Sequence, residues 1–306
     1  MSPSISWRNN LNWLNISLFT NRSITVQIYS IYVVASLVYK CFRYSPIYTN
    51  SCFNGSPCKI IWQKMNDENI PKILENEWSL RLRHFEKVTT TEQSQWLFSL
   101  IEVKNSFLFH LKRCWSCSHF IAIWCSKNPE EFRQLVSSGE LYRSYKKNEM
   151  NGRLIRDLKN AVNEDDLFRV LRRFRNREIA RIIWRDFNRE SDLEETTFDM
   201  TSLAEISIRH ALDFLYRNAC QILGTPCDLN GKPQKMVVLG MGKLGGWELN
   251  ISSDIDLIFA YPERGETNAS QCSLSNEEFF VRLSQRLIKS LDAKTDDGFV
   301  FRVDMR

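Results

Sequence analysis

The sequence predicts an α+β chain: a largely helical amino-terminal region followed by a smaller domain built on a mixed sheet. Three observations carry that reading. Beyond Glu75, apolar residues recur at three- and four-residue steps, the period of a helix with one buried stripe. Between Lys235 and Tyr261, two short apolar runs (Met236 to Leu239, Leu257 to Tyr261) flank a cluster of glycines and read as strands. From Phe299 to Arg306, apolar and charged residues alternate, as in a strand with one wet face.

The 306 residues allow two modest domains. A formal charge of +5 is too mild to argue for nucleic acid. The nine cysteines are scattered and odd in number, which suits reduced thiols in a cytoplasmic protein better than a disulfide frame. Residues 1–73 differ from the rest: rich in Ser, Asn, Tyr and Ile, poor in acids, with Cys41, Cys52 and Cys58. The uncharged run Ser23 to Tyr39 is at the short edge for a membrane span and is diluted by Thr25, Gln27 and Ser30. No small-residue cleavage site follows it. Residues 1–73 are therefore expected to be a poorly ordered leader, residues 74–225 a helical region, and residues 226–306 a sheet-based domain.

Within the helical region, Asn128-Pro129-Glu130-Glu131 reads as a capped helix start and Gly139 as its stop. Asn163 opens the next helix, whose buried stripe is Leu167, Val170, Leu171, Phe174, Ile179, Ile182 and Ile183. Arg169, Arg172, Arg173, Arg175, Arg177, Arg181 and Arg185 fill its other faces. A solvated face with acidic neighbours is the expectation; the competing reading is a surface that meets an acidic partner. Leu203 to Leu223 reads as a long amphipathic helix ended by Gly224 and Pro226. Cys114-Trp-Ser-Cys117, near His119 and Cys125, lacks the second ligand pair of a zinc site and is expected to supply buried thiols.

The chemistry concentrates after Met236. Gly240, Gly242, Gly245 and Gly246 form a glycine-rich turn, and Asp254-Ile255-Asp256 heads the second strand. Strand side chains alternate, so Asp254 and Asp256 share a face. Paired carboxylates on a rigid element call for a hard divalent cation such as Mg²⁺, which keeps positions for substrate phosphates. Gly240 to Gly245 formally spells G-x-G-x-x-G, but no room for a helix follows and the acids come as a pair, unlike a dinucleotide fingerprint. No Gly-Lys-Ser/Thr completes a P-loop. Ser275-Asn-Glu-Glu278 is a capping box for a helix ending near Leu291, and Asp296-Asp297-Gly298 is a tight turn. In the strand that follows, Arg302, Asp304 and Arg306 share one face, with Asp304 a third metal carboxylate. Lys243, Ser252 and Ser253, with the turn Gly242 to Gly246 and with Arg302 and Arg306, are the candidate phosphate ligands.

Gly-Gly, a spacer, then Asp-hydrophobic-Asp-hydrophobic resembles the polymerase-β-like nucleotidyltransferase superfamily. The longer strings GMGKLGGWELNISSDIDLIFAYPE and DGFVFRVDMR closely resemble the amino-terminal half of the bifunctional glutamine synthetase adenylyltransferase/adenylyl-removing enzyme family, as do LRRFRNREIARIIWRD and GTPCDLNGKPQ upstream. The resemblance covers about residues 100 to 306. Trp247 departs where a small or basic residue is expected, and Ile251 where an aromatic one is. The resemblance implies an Mg²⁺-dependent enzyme that removes AMP from a tyrosine of adenylylated glutamine synthetase by phosphorolysis, releasing ADP. It also implies a second half that attaches AMP from ATP, control by glutamine and a PII-type signalling protein, and a domain continuing beyond Arg306, so that the chain is expected to be a fragment. Neither nucleic acid nor membrane is an expected partner. A nucleotidyltransferase acting on RNA or a small molecule, or a non-catalytic truncated product, are the alternatives.

Overall fold

The computed structural model describes residues 72–103, 105–269 and 273–305. The expected leader, with its uncharged run and three cysteines, lies outside the described residues, except that residues 72 and 73 open the first helix. Among the described residues no helix is long and apolar enough to cross a membrane.

Among the described residues eight α-helices precede the sheet: α1 Lys72–Val88, α2 Thr91–Val103, α3 Asn105–Cys117, α4 His119–Lys127, α5 Pro129–Ser137, α6 Glu149–Asp157, α7 Glu164–Phe187 and α8 Leu193–Leu223. The sheet unit runs β1 Val237–Met241, α9 Gly242–Gly245, β2 Ile255–Ala260, α10 Asn276–Asp292 and β3 Val303–Met305. Helix followed by mixed sheet is the expected α+β class. The sheet order is β1-β2-β3, with β1 antiparallel and β3 parallel to β2.

Side-chain caps set several of the helix starts. Asn163 accepts from the Asp166 N–H at 2.9 Å, and Ser275 closes a complete capping box with Glu278. α8 begins at Leu193, not Leu203, because Asp192 caps it by accepting from the Glu195 N–H at 2.8 Å. Asn128 does not cap α5. Its side chain donates back to the Trp124 carbonyl at 3.0 Å, and Pro129 at the first position starts the helix.

A single apolar core joins both regions. Trp115, Trp184, Phe85 and Phe132 fill it among the helices, and Phe279, Phe280, Leu257 and Phe301 continue it beneath the sheet. β2 reads buried at Ile255, Leu257 and Phe259, one face of the strand, so the core side and the open side are set by simple alternation. The expected strand Phe299 to Arg306 pairs only over Val303–Met305. Before it, the Val300 and Phe301 N–H groups donate to the Leu291 carbonyl instead of to a neighbouring strand. Arg306 lies outside the described residues.

The arginines of α7 divide: Arg169 and Arg173 are exposed and pair with Asp166 and Glu131, as expected of a solvated face, but the others sink inward. Arg172, Arg177, Arg181 and Arg185 of α7 are each at least nine-tenths buried. Arg177 pairs with Glu140 at 2.6 Å and Glu178 at 2.7 Å, Arg181 with Asp199 at 2.7 Å, and Arg185 with Glu195 at 2.9 Å. Acids on α8 and in the segment after α5 supply counter-charges inside the molecule, so α7 presents neither a solvated nor a docking face there. Tyr145 donates its hydroxyl to Glu178 at 2.9 Å, and the Arg181 guanidinium stacks on its ring at 3.6 Å. Burial pushes the Glu178 carboxyl up in pKa despite Arg177. Burial also pushes Glu140 up, but there the hydrogen bond and charge of Arg177 outweigh it and the net direction is down.

Of the thiols, Cys114 and Cys125 are buried as expected and burial raises both pKa values; Cys117 is exposed at the end of α3.

Candidate active site

β1 ends at Met241, and the chain passes at once into α9, so the expected glycine-rich turn takes the form of one helical turn. Two glycines make this possible. A Cβ on Gly245 would strike the Gly240 carbonyl oxygen at 2.5 Å, so the turn folds back on its own strand only with hydrogen there. Gly242 has φ +54°, and a Cβ on it would lie 2.5 Å from the Asp256 Oδ2. The carboxylate of Asp256 thus rests against the backbone that opens the turn.

β2 carries Asp256 to the centre of a three-strand rung. Met241 is its partner on β1 and Asp304 its partner on β3. Register partners point to the same face, so the two carboxylates stand side by side on the open side of the sheet. Asp256 is half-buried and Asp304 exposed. Asp254 precedes β2 on the same face by alternation, but its carboxylate accepts from Arg302 Nε. Arg302 also donates to the Ser252 carbonyl at 3.1 Å, tying the loop before β2 to the approach of β3. Both partners of this pair are more than half exposed, 58% and 52%, so it is a weak tie.

The remaining candidates divide. Lys243 and Ser252 are exposed near the turn. Ser253 is occupied locally, its hydroxyl donating to Asn250 Oδ1. The N–H groups of Gly246, Trp247 and Glu248 are spent on carbonyls of the turn itself, at Gly242, Leu244 and Lys243. Among the described residues no three His, Cys, Asp or Glu side chains stand together as a ready metal cage. The donor set still suits a hard cation. It consists of carboxylate oxygens alone, two of them on adjacent strands, with the third held by an exposed arginine.

Sequence reasoning missed two supports. The Leu249 N–H donates to the Thr201 hydroxyl at 3.2 Å, anchoring the spacer to α8. Trp247, at φ +59°, stacks on Phe198 of α8 at 5.4 Å, which accounts for an aromatic residue in the spacer. A cleft of about 370 Å³ opens behind the turn, between α8 and the opposite face of the sheet at Val238, Gly240 and Leu257. It lies away from the aspartates.

A mixed sheet presenting Asp256 and Asp304 on one rung, beside a glycine turn that abuts the first of them, is a nucleotidyltransferase-type fold. Residues 108–306 match the family described as glutamate–ammonia ligase adenylyltransferase, and the chain belongs to that family. It is similar to the bifunctional glutamine synthetase adenylyltransferase/adenylyl-removing enzyme of Pseudomonas syringae pv. tomato, 53% identical over 63% of this chain and 20% of that protein. The proteins of the same name from Nitrosococcus oceani and Pseudomonas aeruginosa are 44% and 50% identical, over 80% and 64% of this chain. The chain spans about a fifth to a quarter of the length of these relatives.

Proposed function

We propose that this chain carries the adenylyl-removing site of its family: Mg²⁺-dependent phosphorolysis of the bond between AMP and a tyrosine of glutamine synthetase. The observation that supports it most is the Asp256–Asp304 rung against Gly242. Asp256 and Asp304 would hold the ion, with Asp254 joining them once it leaves Arg302. When bound, Mg²⁺ supplies charge neutralisation for phosphate oxygens. Arg302, released from Asp254, is then free to meet a phosphate oxygen bidentately, with Lys243, Ser252, Ser253, the Gly242–Gly246 turn and Arg306 completing the phosphate contacts. An oxygen of hydrogen phosphate attacks the AMP phosphorus, the bond to the tyrosyl oxygen breaks, and the proton of the phosphate ends on that oxygen. The products are ADP and glutamine synthetase with that tyrosine hydroxyl restored. Positioning and electrostatics do most of this work, so no side-chain nucleophile is required.

The names of the relatives support glutamine synthetase as the protein substrate and adenylylation as the companion activity. Control by glutamine and a PII-type protein, and a cytoplasmic location, follow from the same reading. The test is direct: incubate the chain with adenylylated glutamine synthetase, phosphate and Mg²⁺, and assay ADP. ADP release that Asp256→Asn abolishes supports the proposal; no ADP from folded, metal-binding protein overturns it.

A further inference from the structure

We infer that Arg172 of α7 is a positioning residue that sets the register of β3 and thereby the place of Asp304. The inference rests on the reading of Asp304 as a site carboxylate.

Arg172 is fully buried, yet Asp297 acts on it only at long range and its hydrogen bonds go elsewhere. Its donors go to main-chain carbonyls: Nε to Gly298 at 3.0 Å, Nη1 to Ser290 at 3.1 Å and Phe168 at 3.0 Å, and Nη2 to Ala293. Three of these acceptors lie on the path from the last turn of α10 to the turn before β3. Two neighbours reinforce the grip. Asn176 donates to the Asp297 carbonyl at 3.0 Å and Arg175 to the Val300 carbonyl at 3.2 Å. One side of α7 therefore holds the backbone at residues 290, 293, 297, 298 and 300.

That path leads directly into the pairing of β3 with β2, which sets Asp304 opposite Asp256. A one-residue slip in that pairing would carry Asp304 to the opposite face. The Ile255 N–H, which donates to the Arg302 carbonyl at 3.0 Å, reports whether the register is kept. A buried guanidinium is a costly way to satisfy carbonyls that water could reach elsewhere. Fixing the approach to β3 gives that cost a purpose.

The test is residue-resolved amide exchange on the full chain. In Arg172→Met, exchange at Ile255, Val300 and Phe301 is expected to rise about tenfold or more, with Phe259 in the β1–β2 ladder changed less than about threefold. Arg172→Lys is expected to fall between. If Arg172→Met does not fold, Asn176→Ala, which removes the hold on the Asp297 carbonyl, should give the same selective pattern at smaller size. A uniform rise, or no rise at Ile255, overturns the inference. Mn²⁺ titration followed by electron paramagnetic resonance supplies the link to Asp304. Arg172→Met should weaken binding about tenfold, in the direction of Asp304→Asn. Selective exchange with Mn²⁺ affinity intact, where Asp304→Asn weakens it, would sever that link. Absence of Mn²⁺ binding by the parent chain would sink the functional reading, while exchange at Ile255 still decides the role of Arg172.

Discussion

On α7, Arg177, Arg181 and Arg185 are nine-tenths or more buried, and each meets a carboxylate within 3 Å. On the open face of the sheet, Arg302 and Asp254 pair with more than half of each side chain in solvent. Both regions use arginine and acids, but burial gives them opposite duties. Inside, the charges are frame: losing one strands its partner in a poor dielectric. On the sheet, the charges are exchangeable: solvent replaces a lost contact at little cost, and under the proposed function what suffers is ligand binding.

The largest expected effect breaks the frame. Arg181→Ala removes the partner of Asp199, the donor to the Glu140 and Arg143 carbonyls and the cation over Tyr145. It should destabilise the fold by about 3–5 kcal/mol in urea titration. An effect below about 1 kcal/mol would mean that the network is not what holds the helices together. Next comes the opposite case. Asp256→Asn should cut ADP release about 10²–10³-fold while the urea midpoint stays within error of the parent. Unfolding of that variant would erase the contrast between the regions.

Gly242→Ala straddles both duties. The new methyl meets Asp256 Oδ2, and the residue must keep φ +54°. A loss of about 1 kcal/mol in stability and a larger loss of activity are expected, read by melting and ADP assay on the same sample. Removing the surface pair by Arg302→Ala should change stability by less than about 1 kcal/mol, and a larger loss would show that the pair is structural.

The smallest effect concerns pH. The hydrogen bond from Arg143 draws the Glu149 carboxyl down to about 2, below the usual carboxylate range. A depressed carboxyl adds stability above its unfolded pKa and loses it as pH falls through the folded one. The melting temperature should therefore decline between about pH 4.5 and pH 2, less steeply in Glu149→Gln.

Much of the fold was legible because its signals are local. Asn163 and Ser275 cap the helices their neighbours suggest, and the Asp-x-Asp spacing places Asp256 on the open face without knowledge of any partner strand. Asp192-x-x-Glu195 was an equally local signal for the start of α8, hidden by weak periodicity before Leu203. The depth of the arginines was not legible. Their counter-charges, Glu140, Asp199 and Glu195, come from other elements, and an arginine stripe bound for the interior looks in one dimension like one bound for water. The pairing of Arg302 with Asp254 escaped notice for the same reason: it joins residues 48 positions apart.

The shared core beneath helices and sheet carries a practical consequence. Phe279 of α10 lies against Tyr216 of α8 at 6.0 Å, and the Tyr216 hydroxyl donates to the Gln234 carbonyl in the connector to β1. Severing the polypeptide between residues 225 and 226 would bare greasy surface on both products. Anyone wishing to purify the aspartate-bearing part should keep α7 and α8 attached, or expect insoluble material.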